Sequence, residues 1–424
     1  MRSFLAVCPL ALLGVACSSG PHVVDVLVSD NPTLVLEKVF TVTLSEPAAL
    51  AVRCSRDDLP SEVHLVESTE PATEHELRVQ GLLAETAYTC AVASVGVSGA
   101  TPSEGSFTTA ALPGSIPSAT AVTSGDPAGE YTLVPHQRLS LGEMTIRLVL
   151  MDNDGAVRWY YPLPITGWAD MGAEYWGDGL FLWGGVSASE KGDGVPRLLS
   201  VSHEEVYKAD YPGASESRYH HMTERQYDGS VVTLTEAQAS QGGYEYYGFE
   251  VHRVDVTTDE LPWSWSLQQG LDAGTVDVGD ANWAGVMVDD DGSEIMVVSV
   301  CEGLSIFGID MATDEVVWTF GEDVGDLELT QGDYPNIQHG LDIQDRSVLF
   351  FDNGAAPTTR AVEYAIDSAA GTASQTWAWT EDGWRQWAWG DVDYLGEDRI
   401  LVGKSHLDNW GEDEGFTEVI EVQR

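Results

Sequence analysis

An acidic turn followed by a short apolar strand recurs along the second half of the chain. Such units begin at Asp178 (Asp-Gly-Leu-Phe-Leu-Trp), Asp228 (Asp-Gly-Ser-Val-Val-Thr-Leu), Asp291 (Asp-Gly-Ser-Glu-Ile-Met-Val-Val), Asp345 (Asp-Arg-Ser-Val-Leu-Phe-Phe) and Glu397 (Glu-Asp-Arg-Ile-Leu-Val), 50, 63, 54 and 52 residues apart. Several units have a second half in which a strand ends at an acidic turn and resumes on tryptophan or tyrosine, as in Leu148 to Trp159, Phe307 to Trp318 and Val362 to Trp377. One such unit cannot bury its apolar face alone, so the repeats must pack on one another. Four strands per unit of about fifty residues describes a propeller blade, and the unit before Asp178 brings the count to six. The last unit stops at Glu418-Val419-Ile420-Glu421-Val422, one strand short. A strand within Ile116 to Ser124 is therefore expected to complete that blade. The predicted fold of residues 128–424 is a six-bladed β-propeller.

The division shows in composition. All 14 tryptophans lie beyond residue 150, and Leu112-Pro113-Gly114-Ser115-Ile116-Pro117-Ser118 marks a boundary, so 112–127 is predicted as a linker. Before it, over 23–111, Phe40-Thr41-Val42-Thr43-Leu44 alternates apolar and polar, and short strands recur at His75 to Leu82, Tyr88 to Ser94 and Ser103 to Thr109. Tyr88 stands two residues before Cys90 and resembles the tyrosine corner of immunoglobulin-like and fibronectin type III folds, so the predicted fold is all-β, with an N-terminal β-sandwich of that kind followed by the propeller. Nothing in this unit suggests catalysis. Spacing or docking is its expected task, with His64 and His75 on the surface.

Residues 1–16 have the form of an export signal: Arg2 opens it, and Phe4 to Val15 is an apolar run too short for a membrane span. Leu13-Gly14-Val15-Ala16-Cys17 is close to a lipobox, and residues 17–22 are expected to form a linker carrying lipid at Cys17; plain secretion is the alternative. The expected location is the cell envelope, with the membrane reached only through that anchor. Cys54 and Cys90, both in strands of the small domain, are natural disulfide partners in an oxidising compartment, leaving Cys301 as a buried thiol.

With 68 acidic and 20 basic residues, the formal net charge is −48. This surface repels phosphate backbones, which excludes nucleic acid as a partner. Acidic turns such as Asp289-Asp290-Asp291-Gly292 are predicted hairpins, because the position of an EF-hand's bidentate glutamate holds Val300. No metal and no cofactor are assigned.

Chemistry points to histidine. His339 sits in Tyr334-Pro335-Asn336-Ile337-Gln338-His339-Gly340-Leu341-Asp342, ahead of the strand closing on Phe351-Asp352-Asn353-Gly354; Tyr219-His220-His221 similarly precedes the Asp228-Gly229 turn. With Ala361-Val362-Glu363-Tyr364, Ile366-Asp367 and Gly390-Asp391-Val392, the region from about Glu130 onward resembles the bacterial arylsulfate sulfotransferases. The resemblance implies a six-bladed propeller moving a sulfuryl group from a phenolic sulfate donor to a phenolic acceptor, without a nucleotide. It implies His339 as the nucleophile and His221, or His220 in the other register, as the group binding the sulfuryl oxygens. Neutral imidazole is a nucleophile near pH 7, and a protonated one holds developing negative charge.

The chain departs from the family at two candidate substrate-binding positions, with Asn282 where relatives have histidine and Cys301 where they have arginine. Arg218, Arg225, Arg360 and Arg385 are the candidates to replace that cation. The alternative is a non-catalytic propeller lipoprotein that binds a small aromatic or carbohydrate ligand or a protein partner. The tryptophans, including Trp283, Trp384, Trp387 and Trp389, are expected in blade cores, and His136, His203, His252 and His406 at the surface or in turns.

Overall fold

The computed structural model describes residues 20–96, 102–117, 119–122, 125–140, 143–163, 172–184, 191–192, 194–277, 279–300, 305–323, 325–354, 358–386, 390–406 and 416–424. The export segment, Cys17, Cys301, Trp387 and Trp389 lie outside them. The chain divides into two compact units, residues 1–113 and 114–424.

The first unit is built on one long strand, Lys38–Arg56, whose apolar residues alternate. Its first half lies between Val23–Asp30 and the later half of Val63–Val79; its second half lies between the earlier half of Val63–Val79 and Ala87–Ser94, which in turn pairs with Ser103–Thr108. The pairing slips between Thr43 and Ala48, beside Pro47, which has no N–H for the ladder. Phe40, Val42 and Leu44 from the first half share one buried cluster with Leu50 and Val52 from the second, closed by Leu77, Val79, Tyr88 and Val92. Cys54 and Cys90 face each other on adjacent strands and form a disulfide, with Cα atoms 4.0 Å apart. The Leu83 N–H donates to the Tyr88 hydroxyl at 2.9 Å, tying the chain to itself five residues upstream. His75, expected at the surface, is buried instead, with its Nε2–H between the carbonyls of Ala48 and Ala72. The slip in pairing leaves carbonyls there that need a donor.

The second unit is a six-bladed β-propeller. Among the described residues its innermost strands are Tyr131–Ser140, Gly172–Gly177, Tyr219–Arg225, Ala281–Val288, Gln338–Gln344 and Asp391–Tyr394; later strands follow outward by antiparallel pairing, and Glu328–Gln331 adds a parallel outer strand to the fifth sheet. From the first blade to the sixth, each of these first strands neighbours the next. The approach is close: a Cβ on Gly172 would stand 2.2 Å from the carbonyl oxygen of Thr223 in the following blade. The cores are shared between blades rather than enclosed within them. One cluster joins Phe249 and Trp265 of the third blade to Val298 and Phe307 of the fourth, the next joins Trp318 of the fourth to Phe350 and Tyr364 of the fifth, and another joins Phe351 of the fifth to Val392 and Ile400 of the sixth. A blade repeat supplies one wall of each layer, so the ring is the unit that buries apolar surface.

Two expectations need correction. The sixth blade has three strands among the described residues, Asp391–Tyr394, Arg399–His406 and Phe416–Gln423, and no strand forms at the described positions of 116–124. The chain meets this blade slightly later and by side chains, the Ala128 N–H donating to Glu421 Oε2 at 2.9 Å and Arg399 donating to the Asp126 carbonyl. Pro117 and the turn around it interrupt the extended run that a fourth strand requires. His252 also departs from expectation: it is buried in the third blade at 2.9 Å from Thr235 Oγ1, and burial pushes its pKa down to about 4, so it is neutral. His203 does occupy a turn, at φ 65°, with its Nε2 2.8 Å from the Tyr160 carbonyl.

The ring is clamped where the sixth blade meets the fifth. Arg424 holds Glu363 through Nε to Oε2 at 2.7 Å and Nη2 to Oε1 at 2.8 Å, and Glu363 has no solvent exposure. Removing the cation leaves a buried carboxylate uncompensated. Arg424→Ala is expected to cost about 2–3 kcal/mol in denaturant unfolding, less than a fully buried pair because the guanidinium is partly exposed. A change indistinguishable from zero would show that Glu363 is satisfied without it.

Candidate active site

Three successive blades carry a β-bulge at the same place, the opening of the first strand. The pairing slips between His220 and Thr223, between Ala281 and Trp283, and between His339 and Leu341. A bulge re-aims side chains that strict alternation would send to opposite faces. His221 takes the left-handed region, φ 56°, and its ring centroid lies only 3.7 Å from that of His220. In the fifth blade Gly340 adopts φ 49°, and a Cβ there would meet Asp391 Oδ1 at 2.6 Å.

Each candidate residue has a defined setting. His220 Nε2 stands 2.9 Å from both carboxylate oxygens of Asp280, the second residue before Asn282, so the third blade's imidazole is held by the approach to the fourth. Asn282 is buried, and its Nδ2 donates to the carbonyl of Gln338 at 3.3 Å, which ties the fourth blade to the fifth. Gln338 is itself fully buried, immediately before His339. The polar residues at these three blade openings thus form a connected run, His221 and His220 to Asp280, then Asn282 to Gln338 and His339.

The tautomer of His339 follows from its neighbours. Its Nδ1 lies 2.6 Å from Asn353 Oδ1, and Asn353 Nδ2 donates to the carbonyl of Gln386 at 3.0 Å. A carbonyl only accepts, so the amide nitrogen of Asn353 must face Gln386 and its oxygen must face the imidazole. His339 therefore carries a proton on Nδ1, and in the neutral ring Nε2 keeps the lone pair. The Asp-Asn-Gly turn supports this arrangement: Asp352 Oδ1 accepts from the N–H groups of Asn336 and Gly354 at 3.0 Å, and Arg360 Nε donates to Asp352 Oδ2 at 2.8 Å. Asp280, Asn353 and Gln386 had no assigned role from sequence. Asn353 was visible only as a turn residue, and its hydrogen bond to Gln386 spans 33 positions.

The first strands also carry acids. Glu174, Glu224, Asp342, Asp391 and Asp393 come from the second, third, fifth and sixth blades, yet they repel one another electrostatically. Blades two and five, or three and six, face each other across a six-membered ring, so these carboxylates share the central channel. Burial pushes Asp342 up to about 6, Glu174 to about 7 and Asp391 to about 7. Burial, then the neighbouring charges of Asp342 and Glu174, raises Glu224 well above the usual carboxylate range.

Three of the arginines expected to replace the missing cation have acidic or aromatic partners: Arg225 lies over the Trp176 ring at 4.6 Å and donates to the Trp176 carbonyl, Arg360 is held by Asp352, and Arg218 stands 3.8 Å from Glu236; Arg385 is exposed, next to Gln386.

Comparison with known proteins agrees with this layout at the level of family. No curated protein matches the chain. Solved structures that resemble it include Hsv2 from Kluyveromyces lactis, at 8% identity, TM-score 0.33, covering 79% of this chain and 93% of that one. They also include apo AztD from Citrobacter koseri, at 9% identity, TM-score 0.28, covering 79% and 96%. These distant likenesses add nothing to the blade topology above. Residues 126–424, the whole propeller, match the model of the Arylsulfotransferase (ASST) family, and the chain belongs to that family.

Proposed function

We propose that the propeller transfers a sulfuryl group from a phenolic sulfate to a phenolic acceptor through a covalent intermediate on His339. The observation that carries this is the fixed tautomer: Asn353 holds the Nδ1 proton, so Nε2 presents a lone pair. Nε2 forms a bond to sulfur as the bond from sulfur to the donor's phenolic oxygen breaks. The departing phenolate takes up a proton from solvent; the acceptor oxygen then attacks the same sulfur, its hydroxyl proton passes to solvent and His339 is released, so the two half-reactions balance. His221 and His220, brought together by the bulge and anchored by Asp280, are assigned to the sulfuryl oxygens. The test is release of nitrophenol from 4-nitrophenyl sulfate in the presence of excess phenol, compared between the parent and His339→Ala. No release from the parent would favour a propeller that binds without catalysis.

Asn353 is a positioning residue in this scheme. Asn353→Ala is expected to lower kcat by about 10- to 100-fold, the usual cost of losing a group that orients a reactive imidazole, with KM little changed. Asn353→Asp, which keeps an acceptor on Nδ1–H, should restore most of the rate and move the pH profile. A variant whose kcat equals that of the parent would remove Asn353 from the scheme.

Export fits the same scheme. The disulfide between Cys54 and Cys90 belongs to an oxidising compartment, in keeping with a leader ending at Ala16 and a lipid anchor on Cys17. The N-terminal unit, with its Tyr88 corner, is assigned the part of an immunoglobulin or fibronectin type III-like spacer or docking module.

A further inference from the structure

The central channel sets a charge problem for any sulfate ester. Among the described residues of the first strands of blades two to six, the one lysine or arginine is Arg225, committed to Trp176, against the five carboxylates of Glu174, Glu224, Asp342, Asp391 and Asp393. A sulfuryl donor is an anion, and a neutral imidazole does little to offset that field. Beside the channel, however, His220, His221 and Asp280 each place a ligand atom within 4.8 Å of the others. Ligand atoms on one tetrahedral zinc-class ion, at about 2.0–2.2 Å from it, stand about 3.3–3.6 Å apart, so side-chain rotations that move these atoms by about 1 Å would close the set. Two borderline imidazoles and a harder carboxylate form a donor set that zinc-class divalent ions take, and three protein ligands leave coordination positions open. The strained φ of His221 and the bulge serve to bring the two imidazoles together.

We infer that His220, His221 and Asp280 hold a divalent cation of the zinc class, whose open positions take sulfuryl oxygens. The proton shared by His220 and Asp280 leaves as the ion enters, since histidine ligates as the neutral ring. The ion's role rests on the sulfuryl-transfer reading above; its binding does not.

The test uses the full chain, freed of metal by chelation and then titrated with Zn²⁺ and, separately, with Co²⁺. One equivalent of Zn²⁺ is expected to bind and Co²⁺ to give a visible ligand-field band. His220→Ala and Asp280→Asn should each weaken Zn²⁺ binding at least about 10- to 100-fold and abolish the Co²⁺ band, whereas His339→Ala should retain both. Where His220→Ala does not fold, His220→Gln replaces it. Absence of stoichiometric binding, or binding unchanged in both variants, overturns the site and leaves His220 and Asp280 as a hydrogen-bonded pair. The phenyl sulfate assay separates the two claims. Turnover undiminished in chelated protein overturns the ion's role while sulfuryl transfer stands. Bound Zn²⁺ without any turnover supports the site while sulfuryl transfer fails.

Discussion

Replacing His339 with alanine is expected to lower nitrophenol release from an aryl sulfate by at least about 10³-fold, because a covalent route loses its only bond-forming atom. The expectation rests on geometry. His339 is held in one tautomer by Asn353, and Asn353 is itself held by Gln386. Three controls give the result meaning. The variant should keep the melting temperature of the parent, because His339 is half-buried and its strand packs through Leu341 rather than through the imidazole. His339→Gly should regain part of the rate when imidazole is added to the solution. The parent should show ping-pong kinetics with respect to donor and acceptor, as a sulfuryl-histidine requires. Residual turnover in His339→Ala above about a tenth of the parent rate is incompatible with a nucleophile and would move attention to His221.

The second large effect is on stability against pH. Burial raises Asp342, Glu174 and Asp391 to about 6, 7 and 7 in the folded protein, and Glu224 shifts in the same direction. In the unfolded chain these carboxyls titrate near 4. Between about pH 4 and 7 the folded state therefore holds protons that the unfolded state has lost, and the belt costs least at the acid end. Stability should fall as pH rises through the folded values. A tenfold difference in proton affinity between the folded and unfolded chain corresponds to about 1.4 kcal/mol, reduced here because Glu174, Glu224, Asp342 and Asp391 keep partial solvent exposure, so a total on the order of 3–5 kcal/mol is expected. That corresponds to a melting temperature about 5–10 °C higher at pH 5 than at pH 8.

Groups of the opposite kind set the lower limit. Asp228 and Glu294 are paired with Arg253, and their pKa values lie below the ordinary carboxylate range. Their contribution is lost only as pH falls through those depressed values, so the maximum belongs near pH 5. The backbone N–H groups of Arg225, Tyr394, Ile343 and Val392, which donate to the belt, oppose the shifts without cancelling them. Glu224→Gln should flatten the profile. A melting temperature that stays level or rises between pH 5 and 8 would mean that the five acids do not act together.

Much of the architecture is a local matter, and local signals made it legible. The acidic turns before Leu180, Val231, Ile295 and Val348 start hairpins wherever they occur, and their spacing shows how many blades the ring has. Cys54 and Cys90 lie in strands of one small domain, and the pairing register places them opposite each other. His339 stood out because its strand leads into an Asp-Asn-Gly turn. Errors came where a segment's fate depends on distant partners. The strand expected in 116–124 has apolar residues enough, yet the sixth blade is joined by Asp126 and Ala128 through Arg399 and Glu421, more than 270 positions away. His75 and His252 look like surface histidines until the carbonyls of Ala48 and Ala72 and the hydroxyl of Thr235 are brought to them.

By itself, then, the amino-acid order determined a ring of β-blades, a disulfide-stapled companion unit and the imidazole at 339, because period, turn chemistry and short-range pairing act over tens of residues. Only the tertiary structure decided what surrounds that imidazole. Asn353 and Gln386 set its proton, Asp280 captures His220, and carboxylates from four blades meet at the axis. These are encounters between residues from 14 to 217 positions apart (His339 to Asn353, Glu174 to Asp391), and closing the ring is what brings them together.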